Sequence, residues 1–302
     1  MLENLLSIIF NPTTLLIVGI IVIPYLIENK KYKKTTYYQT LKLPYYSVKY
    51  NKGRYGEYLS YKHLKEFEKS GAKFLFNVYI PKNESETTEI DLIMICQYGL
   101  FVIESKNYSG WIFGNENQLN WTQTLPSGHG RSHKEHFYNP IKQNRSHINY
   151  LNAYIYDSFP VYSIIAFSDR CTLKSVNVTS PDIKVINRSR ILATVNAICN
   201  STSPYLTQEK IDEIYNKLYP LTQVDDSIKQ QHIANLQNGK HPTPPPINVP
   251  IVVNNPQKIQ QENICPRCGA TLVLRKTKKG ENLGKEFWGC SKFPKCRYKK
   301  DL

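Results

Sequence analysis

Two apolar runs, Ile90–Ile95 and Leu100–Ile103, stand either side of the turn-like CQYG at 96–99, and they constrain the fold more than any other stretch. Short apolar runs bounded by a turn signal predict neighbouring strands, and side chains alternate from face to face along a strand. Ile90, Leu92, Met94, Phe101 and Ile103 then line one set of faces, while Ile93, Ile95, Leu100 and Val102 line the other. Both strands are therefore expected to be covered on both sides, inside a mixed sheet flanked by helices. Asp91, Glu104 and Lys106 break this pattern at the strand ends. Charged side chains are seldom fully buried unless paired, so their position there needs a reason.

The surrounding sequence extends the α/β pattern over residues 51–220. RYGEYLSYKHLKEFEKSG carries Tyr55, Leu59, His63 or Leu64, and Phe67 at helical spacing, with Gly71 as a stop. AKFLFNVYI reads as a strand, WIFGNENQLNWTQ as a hairpin, and NPIKQNRSHINYLNAYIYD as a helix with Pro140 in its first turn. VYSIIAFS and IKVIN are short strand-like runs, and TVNAICNS and TQEKIDEIYNKLY are helical. Residues 221–262, rich in Gln, Asn and Pro, read as a flexible linker.

At the N-terminus, residues 5–27 contain no charge and Lys30, Lys31, Lys33 and Lys34 come directly after them. About 20 mostly apolar residues suffice to span a bilayer, and the positive flank orients its own side of the span toward the cytoplasm. The expectation is a membrane anchor over 1–34, single-pass, with the remaining chain cytoplasmic; a buried helix or a peripheral hairpin is the other reading. Residues 35–50 read as a tyrosine-rich basic spacer. The chain carries 39 Lys and Arg against 24 Asp and Glu, a net charge of +15, which favours polyanionic partners without specifying a fold.

Four of the seven cysteines lie in the last forty residues, as Cys265-x2-Cys268 and Cys290-x5-Cys296. Two such pairs close a tetrahedral sulfur shell of the kind that holds structural Zn²⁺, with iron as the lesser possibility. So small a unit, residues 263–302, depends on the metal for folding energy. From residue 264 onward, eleven Lys and Arg face three Asp and Glu. Aromatic side chains within a basic groove suit single-stranded nucleic acid, which stacks on rings while cations track phosphate. The candidate contacts are Arg275, Lys276, Lys278, Lys279, Phe287, Trp288, Arg297 and Tyr298, although some of the aromatics also have a ribbon core to fill. In CPRCG, LVLRKTKKG, FWGCSKFPKC and RYKK, residues 265–300 resemble the four-cysteine zinc ribbons of bacterial type I topoisomerases. The resemblance implies DNA binding, with single strands favoured, and no topoisomerase chemistry.

Paired strands would set Asp91 and Glu104 at neighbouring ends, near enough to hold one ion; oxygen ligands suit Mg²⁺ or Mn²⁺. Lys106, on the same face as Glu104, would steer water or offset transition-state charge. A structural salt bridge between Glu104 and Lys106 accounts for the E-x-K spacing equally well. The D…E-x-K arrangement resembles the restriction-endonuclease-like nucleases. The ordered blocks GRYGE at 53–57, EIDLIMI, GLFVIESKNYSGWIFG, the Trp121 region and NPIKQNRSHINYL resemble the nuclease-related domain (NERD) family over residues 51–200. That resemblance implies a restriction-endonuclease-like core, a central mixed sheet flanked by helices. It also implies Asp91, Glu104 and, from a helix facing the site, Glu57 as catalytic acids and Mg²⁺ ligands, Lys106 as the catalytic lysine, and Gln143 as an aid to site or substrate. Glu89 is read as a strand-entry residue, and His129, His133 and His136 as members of a loop. The combined expectation is a membrane-anchored, metal-dependent nuclease with a DNA-capturing ribbon. The competing reading is a non-catalytic nucleic-acid-binding or signalling protein, tethered to the membrane, on a nuclease-like fold.

Overall fold

The computed structural model describes residues 11–83, 86–128, 131–237, 265–268, 270, 272–277 and 286–301. The chain divides into two compact units, Met1–Ile251 and Val252–Leu302.

The described residues of the first unit begin with four helices, α1 (Pro12–Tyr32), α2 (Thr36–Leu41), α3 (Tyr45–Tyr50) and α4 (Lys52–Leu64). A 3₁₀ turn over Lys65–Ser70 continues α4 to Gly71, whose φ of 83° closes the segment in the left-handed region that glycine tolerates. Three strands follow, β1 (Lys73–Pro81), β2 (Thr87–Cys96) and β3 (Gly99–Lys106), then β4 (Gly110–Asn115), β5 (Asn120–Pro126) and β6 (Ser132–Tyr138). Helix α5 (Pro140–Ile155) leads into β7 (Val161–Phe167), β8 (Cys171–Asn177) and β9 (Ile183–Asn187), and α6 (Ile191–Ser201), α7 (Gln208–Leu218) and α8 (Asp226–Gln237) complete the described part.

The central sheet has the order β1-β2-β3-β7-β9, antiparallel through β3 and parallel thereafter. One face carries Phe74, Phe76, Leu92, Met94, Phe101 and Ile103 and packs on Tyr58, Tyr61 and Leu64 of α4 and Ile191 and Val195 of α6. The other carries Leu75, Ile93, Ile95, Leu100 and Val102 and packs on Leu151 and Ile155 of α5 and Ile211 and Ile214 of α7. The core is thus mixed α/β with both sheet faces covered, as the two apolar runs require. A second sheet, β6-β5-β4-β8, closes over Trp121 and Phe167, whose rings stack at 6.1 Å. Gly114 is required there: a Cβ at that position would fall 2.2 Å from the Trp121 ring.

The N-terminal region departs from expectation. Among the described residues no helix is long and apolar enough to cross a membrane, so neither the transmembrane segment nor the single-pass membrane location drawn from it stands. The physical reason lies in α1. Its uncharged part from Pro12 to Ile27 spans about 24 Å at 1.5 Å per residue, short of a core of about 30 Å. Glu28 stands just before its last turn and Lys30 and Lys31 within it, and Tyr32 is fully buried against Tyr37, Tyr38, Tyr45 and Tyr58. Residues 1–10 of the expected anchor lie outside the described residues. Residues 35–50 are likewise not a spacer. They form α2 and α3, with Tyr37, Tyr45 and Val48 buried in the core. A tyrosine ring buries apolar area while its hydroxyl keeps a partner, as Tyr32 does by donating to Leu43 O at 2.9 Å. The early part of the expected linker forms α8, and residues 238–262 lie outside the described residues.

Candidate active site and zinc ribbon

Strands β2 and β3 pair from Cys96–Gly99 to Leu92–Ile103, and the pairing ends where the charges begin. Continued by one step, the same register sets Asp91 opposite Glu104. The Asp91 carboxylate instead accepts the backbone N–H of Ser105 at 2.8 Å, which holds it against the Glu104–Lys106 segment.

Asn77 on β1 lies at the register position facing Asp91 and has a φ of 51°. Asparagine is among the few non-glycine residues that enter this region readily. Both strands change face at this point. Phe74, Phe76 and Leu92 pack on the α4 side, whereas Val78, Ile80 and Ile90, of the same parity, pack on the α5 side. Asn77 donates its amide to Glu89 at 2.9 Å and to Glu57 of α4 at 3.4 Å, and the Tyr79 hydroxyl donates to Glu89 at 2.9 Å. The Tyr37 hydroxyl also reaches Glu57, at 3.4 Å.

On the α5 side, Lys106 Nζ lies 2.7 Å from Glu104 Oε1 and donates to Gln143 Oε1 at 2.9 Å. Asn144 fixes the helix to the sheet by donating to Val102 O at 3.1 Å and Ser163 Oγ at 2.8 Å. His147, one turn beyond Gln143, sits with Nδ1 2.6 Å from Thr88 Oγ1 and Nε2 3.3 Å from Glu104 Oε2. Behind the strand, the buried Arg188 donates from Nε to Ser60 Oγ at 3.1 Å and from its terminal nitrogen to Ser105 Oγ at 3.2 Å.

The electrostatics follow from this packing. Burial pushes Asp91 well above the usual carboxylate range, and the neighbouring charges of Glu104 and Glu57 add to the shift. Burial also opposes ionisation of Glu104, but the Lys106 ammonium and His147 beside it prevail and hold it at about 2. Burial works against the charge on Lys106, and Glu104 and Asp91 outweigh it and raise its pKa. Glu57 is raised to about 7, by burial first and then by Glu89.

The structure thus brings Asp91, Glu104, Lys106 and Gln143 to one strand end. Glu57 is directed to Asn77 and Tyr37 on the α4 side. Glu104 Oε2 is buried without a hydrogen-bond partner, and Asp91 carries the repulsion of two neighbouring acids; both features fit a divalent cation. Among the described residues, the four cysteines alone bring three or more candidate ligand atoms within 4.8 Å of one another. The acids by themselves would therefore supply an ion with only part of a ligand set. Asn77, His147 and Arg188 were missed from sequence. A polar residue inside FLFNVYI and a histidine one turn after Gln143 were legible hints for the first two; Arg188 had none. His133 and His136 lie exposed on β6, His136 Nδ1 3.1 Å from Thr122 Oγ1, and His129 is outside the described residues.

In the second unit, β10 (Leu272–Lys276), β11 (Glu286–Cys290) and β12 (Lys299–Asp301) form an antiparallel ribbon. The sulfurs of Cys265 and Cys296 are 3.7 Å apart and those of Cys268 and Cys290 3.4 Å. Four sulfurs about 2.3 Å from a tetrahedral ion would lie about 3.8 Å apart, so the cluster fits structural zinc. Trp288 and Tyr298 pack against the cysteines, so both serve the ribbon core. Arg275 lies over the exposed ring of Phe293 at 5.5 Å, and Arg297 is exposed. A Cβ on Gly289 would meet the Arg275 stem at 2.9 Å and the Phe287 ring at 3.4 Å, so Arg275 and Phe287 flank this glycine. Lys278, Lys279 and the side chain of Lys276 lie outside the described residues.

Comparison with known proteins agrees with this division. The family profile "Nuclease-related domain" matches residues 52–168, and "Topoisomerase DNA binding C4 zinc finger" matches 262–302. An uncharacterized protein of Bacillus anthracis is 33% identical over 187 residues, covering 62% of this chain and 84% of that protein. DNA topoisomerase 1 of Methanocaldococcus jannaschii is 46% identical over 39 residues, 13% of this chain and 4% of the topoisomerase. The Mycoplasma genitalium DNA topoisomerase 1 is 41% identical over 56 residues, 17% and 8% respectively. No solved structure matches significantly.

Proposed function

Because this chain belongs to the nuclease-related domain (NERD) family and ends in a topoisomerase-type zinc ribbon, we propose that it hydrolyses DNA phosphodiester bonds, dependent on Mg²⁺ or Mn²⁺ held by Asp91 and Glu104. The observation that carries this reading is the gathering of Asp91, Glu104, Lys106 and Gln143 at one strand end, with a buried Glu104 oxygen unpartnered. Such a gathering resembles the arrangement expected of restriction-endonuclease-like nucleases. When bound, a divalent cation supplies polarisation of the phosphoryl group and neutralisation of its charge.

The chain's own groups supply the rest. Lys106 stays protonated, and Gln143 and Glu104 together aim its ammonium where negative charge accumulates on the phosphate. Ser105 N–H fixes the Asp91 carboxylate, so its orientation is set before substrate arrives. Glu57, with a pKa of about 7, is able to hold or release a proton near neutral pH, beside Asp91 and Glu89, whose charges it feels. The ribbon's cationic and aromatic surface, with Arg275, Phe287, Phe293 and Arg297, holds the DNA strand, single strands in preference.

The test uses the full chain with linear, circular and single-stranded DNA, and Mg²⁺, Mn²⁺ or neither. Asp91→Ala and Lys106→Ala are expected to abolish cutting while leaving DNA binding intact; either variant retaining full activity would overturn the assignment. The 2.7 Å Glu104–Lys106 ion pair favours a second reading, a nuclease-like fold that binds DNA without cutting it. That reading expects no cleavage with any divalent ion.

A further inference from the structure

Two buried atoms at this site have no hydrogen-bond partner and face each other: Glu104 Oε2 and His147 Nε2, 3.3 Å apart. Both residues are 2% exposed, so water cannot readily serve them, and a buried polar atom left unmet is costly. Their approach is within ion-pair distance but misaligned for an N–H···O bond. Two ligand atoms in adjacent positions, each about 2.1 Å from a cation, stand about 3 Å apart, close to the separation seen. The other ring nitrogen is anchored 2.6 Å from the buried Thr88 hydroxyl on β2. Metal-ligating histidines are oriented in this way, by a hydrogen bond at the far nitrogen.

We infer that His147 is a nitrogen ligand to the divalent cation at Glu104, and that the site consequently prefers Mn²⁺ or a similar transition metal to Mg²⁺. The inference rests on the metal-dependent reading above and deepens it. Imidazole suits transition metals, whereas Mg²⁺ is served by carboxylate, carbonyl and water. His232, the other histidine near the acids, already has Thr87 O at 3.2 Å and lies 3.7 Å from Glu89 rather than Glu104.

The experiment is Mn²⁺ titration of the zinc-replete full chain followed by electron paramagnetic resonance, with Mg²⁺ as competitor. Wild-type protein is expected to bind Mn²⁺ at least about tenfold more tightly than Mg²⁺. Pulsed spectra of the bound ion should show a nitrogen coupling that changes when histidine is labelled with ¹⁵N. His147→Asn should weaken Mn²⁺ binding by about tenfold or more and leave Mg²⁺ binding nearly unchanged; Glu104→Gln should weaken both. The labelling result on wild-type protein stands even if the variant folds poorly. Glu104-dependent Mn²⁺ binding without histidine coupling would overturn the inference and leave the proposed function intact. Absence of Glu104-dependent binding of either ion would overturn both.

Discussion

Glu57 shows how one buried side chain couples the fold to pH. Its carboxyl is raised from 4.5 to about 7, by burial and then by Glu89, so the folded state binds a proton that the unfolded chain has released. The associated stability is complete below about pH 4.5 and is lost as pH climbs through about 7. A Glu57→Gln variant cannot lose it. Unfolding curves of the two proteins, without added divalent ion, should diverge between pH 5 and 7.5 by about 2–3 kcal/mol in the variant's favour. Parallel curves would refute the assignment. Gly56 beside it is constrained differently: a Cβ there would lie 3.0 Å from both the Arg188 guanidinium and Ser105 Oγ. Gly56→Ala should therefore displace Arg188 and cost about 1–3 kcal/mol, measured by denaturant unfolding, with a loss of cleavage as Ser105 shifts. Asp91, Glu104 and Lys106 were legible as charges at the ends of apolar strands, because that pattern is local. Arg188 was not, since nothing near it in the chain marks it as a partner of Ser60 and Ser105.

Helix α5 is the element on which the site depends. It presents Gln143 and His147 to β3, and its start is fixed by Asn139, whose side chain accepts from Ile141 N at 2.9 Å. The same side chain donates to Asn115, Glu116 and Gln118 carbonyls at 3.2, 2.9 and 2.7 Å. Glu116 in turn holds Arg145, Thr179 and Ser180. Asn139→Ala removes a helix cap and leaves buried carbonyls unmet, so a loss of about 2–3 kcal/mol is expected in denaturant unfolding. Cleavage should fall with it as Gln143 leaves Lys106, whereas a variant of unchanged stability would show the cap to be dispensable. The existence of α5 was plain from NPIKQNRSHINYL, with its proline in the first turn. Its contact with the turn at 115–118 was not, because two elements far apart in sequence meet there. At the other end of the unit, helical spacing placed α4 and picked Tyr55, Leu64 and Phe67 from the side that packs on the core, but it missed Tyr58 and Tyr61. Tyr58, Tyr61 and Leu64 face the core, and Tyr37 and Tyr45, from the stretch that read as a tyrosine-rich basic spacer, are buried with them.

At the scale of the whole molecule, two compact units carry separate chemistry. Zinc removal is expected to unfold the ribbon and abolish its DNA affinity, while the cooperative thermal transition of the first unit stays in place; a shift of that transition would show the units to be energetically dependent. Arg275→Ala should lower DNA affinity and reduce the slope of log affinity against log salt by about one if Arg275 meets a phosphate. An unchanged slope would remove Arg275 from the DNA-binding surface. By itself, the sequence determined the sulfur shell, the strand pair with acids at its end, and the order of the family's blocks, since each depends on spacing within a short stretch. Tertiary structure alone decided that the N-terminal helix ends on a tyrosine cluster and that, among the described residues, no helix is long and apolar enough to cross a membrane. It also decided that β1 and β2 change face at Asn77 and Asp91, and that His147 meets Glu104. Those outcomes depend on which distant surface is available to cover a side chain, and burial is a property of the packed chain rather than of any local pattern.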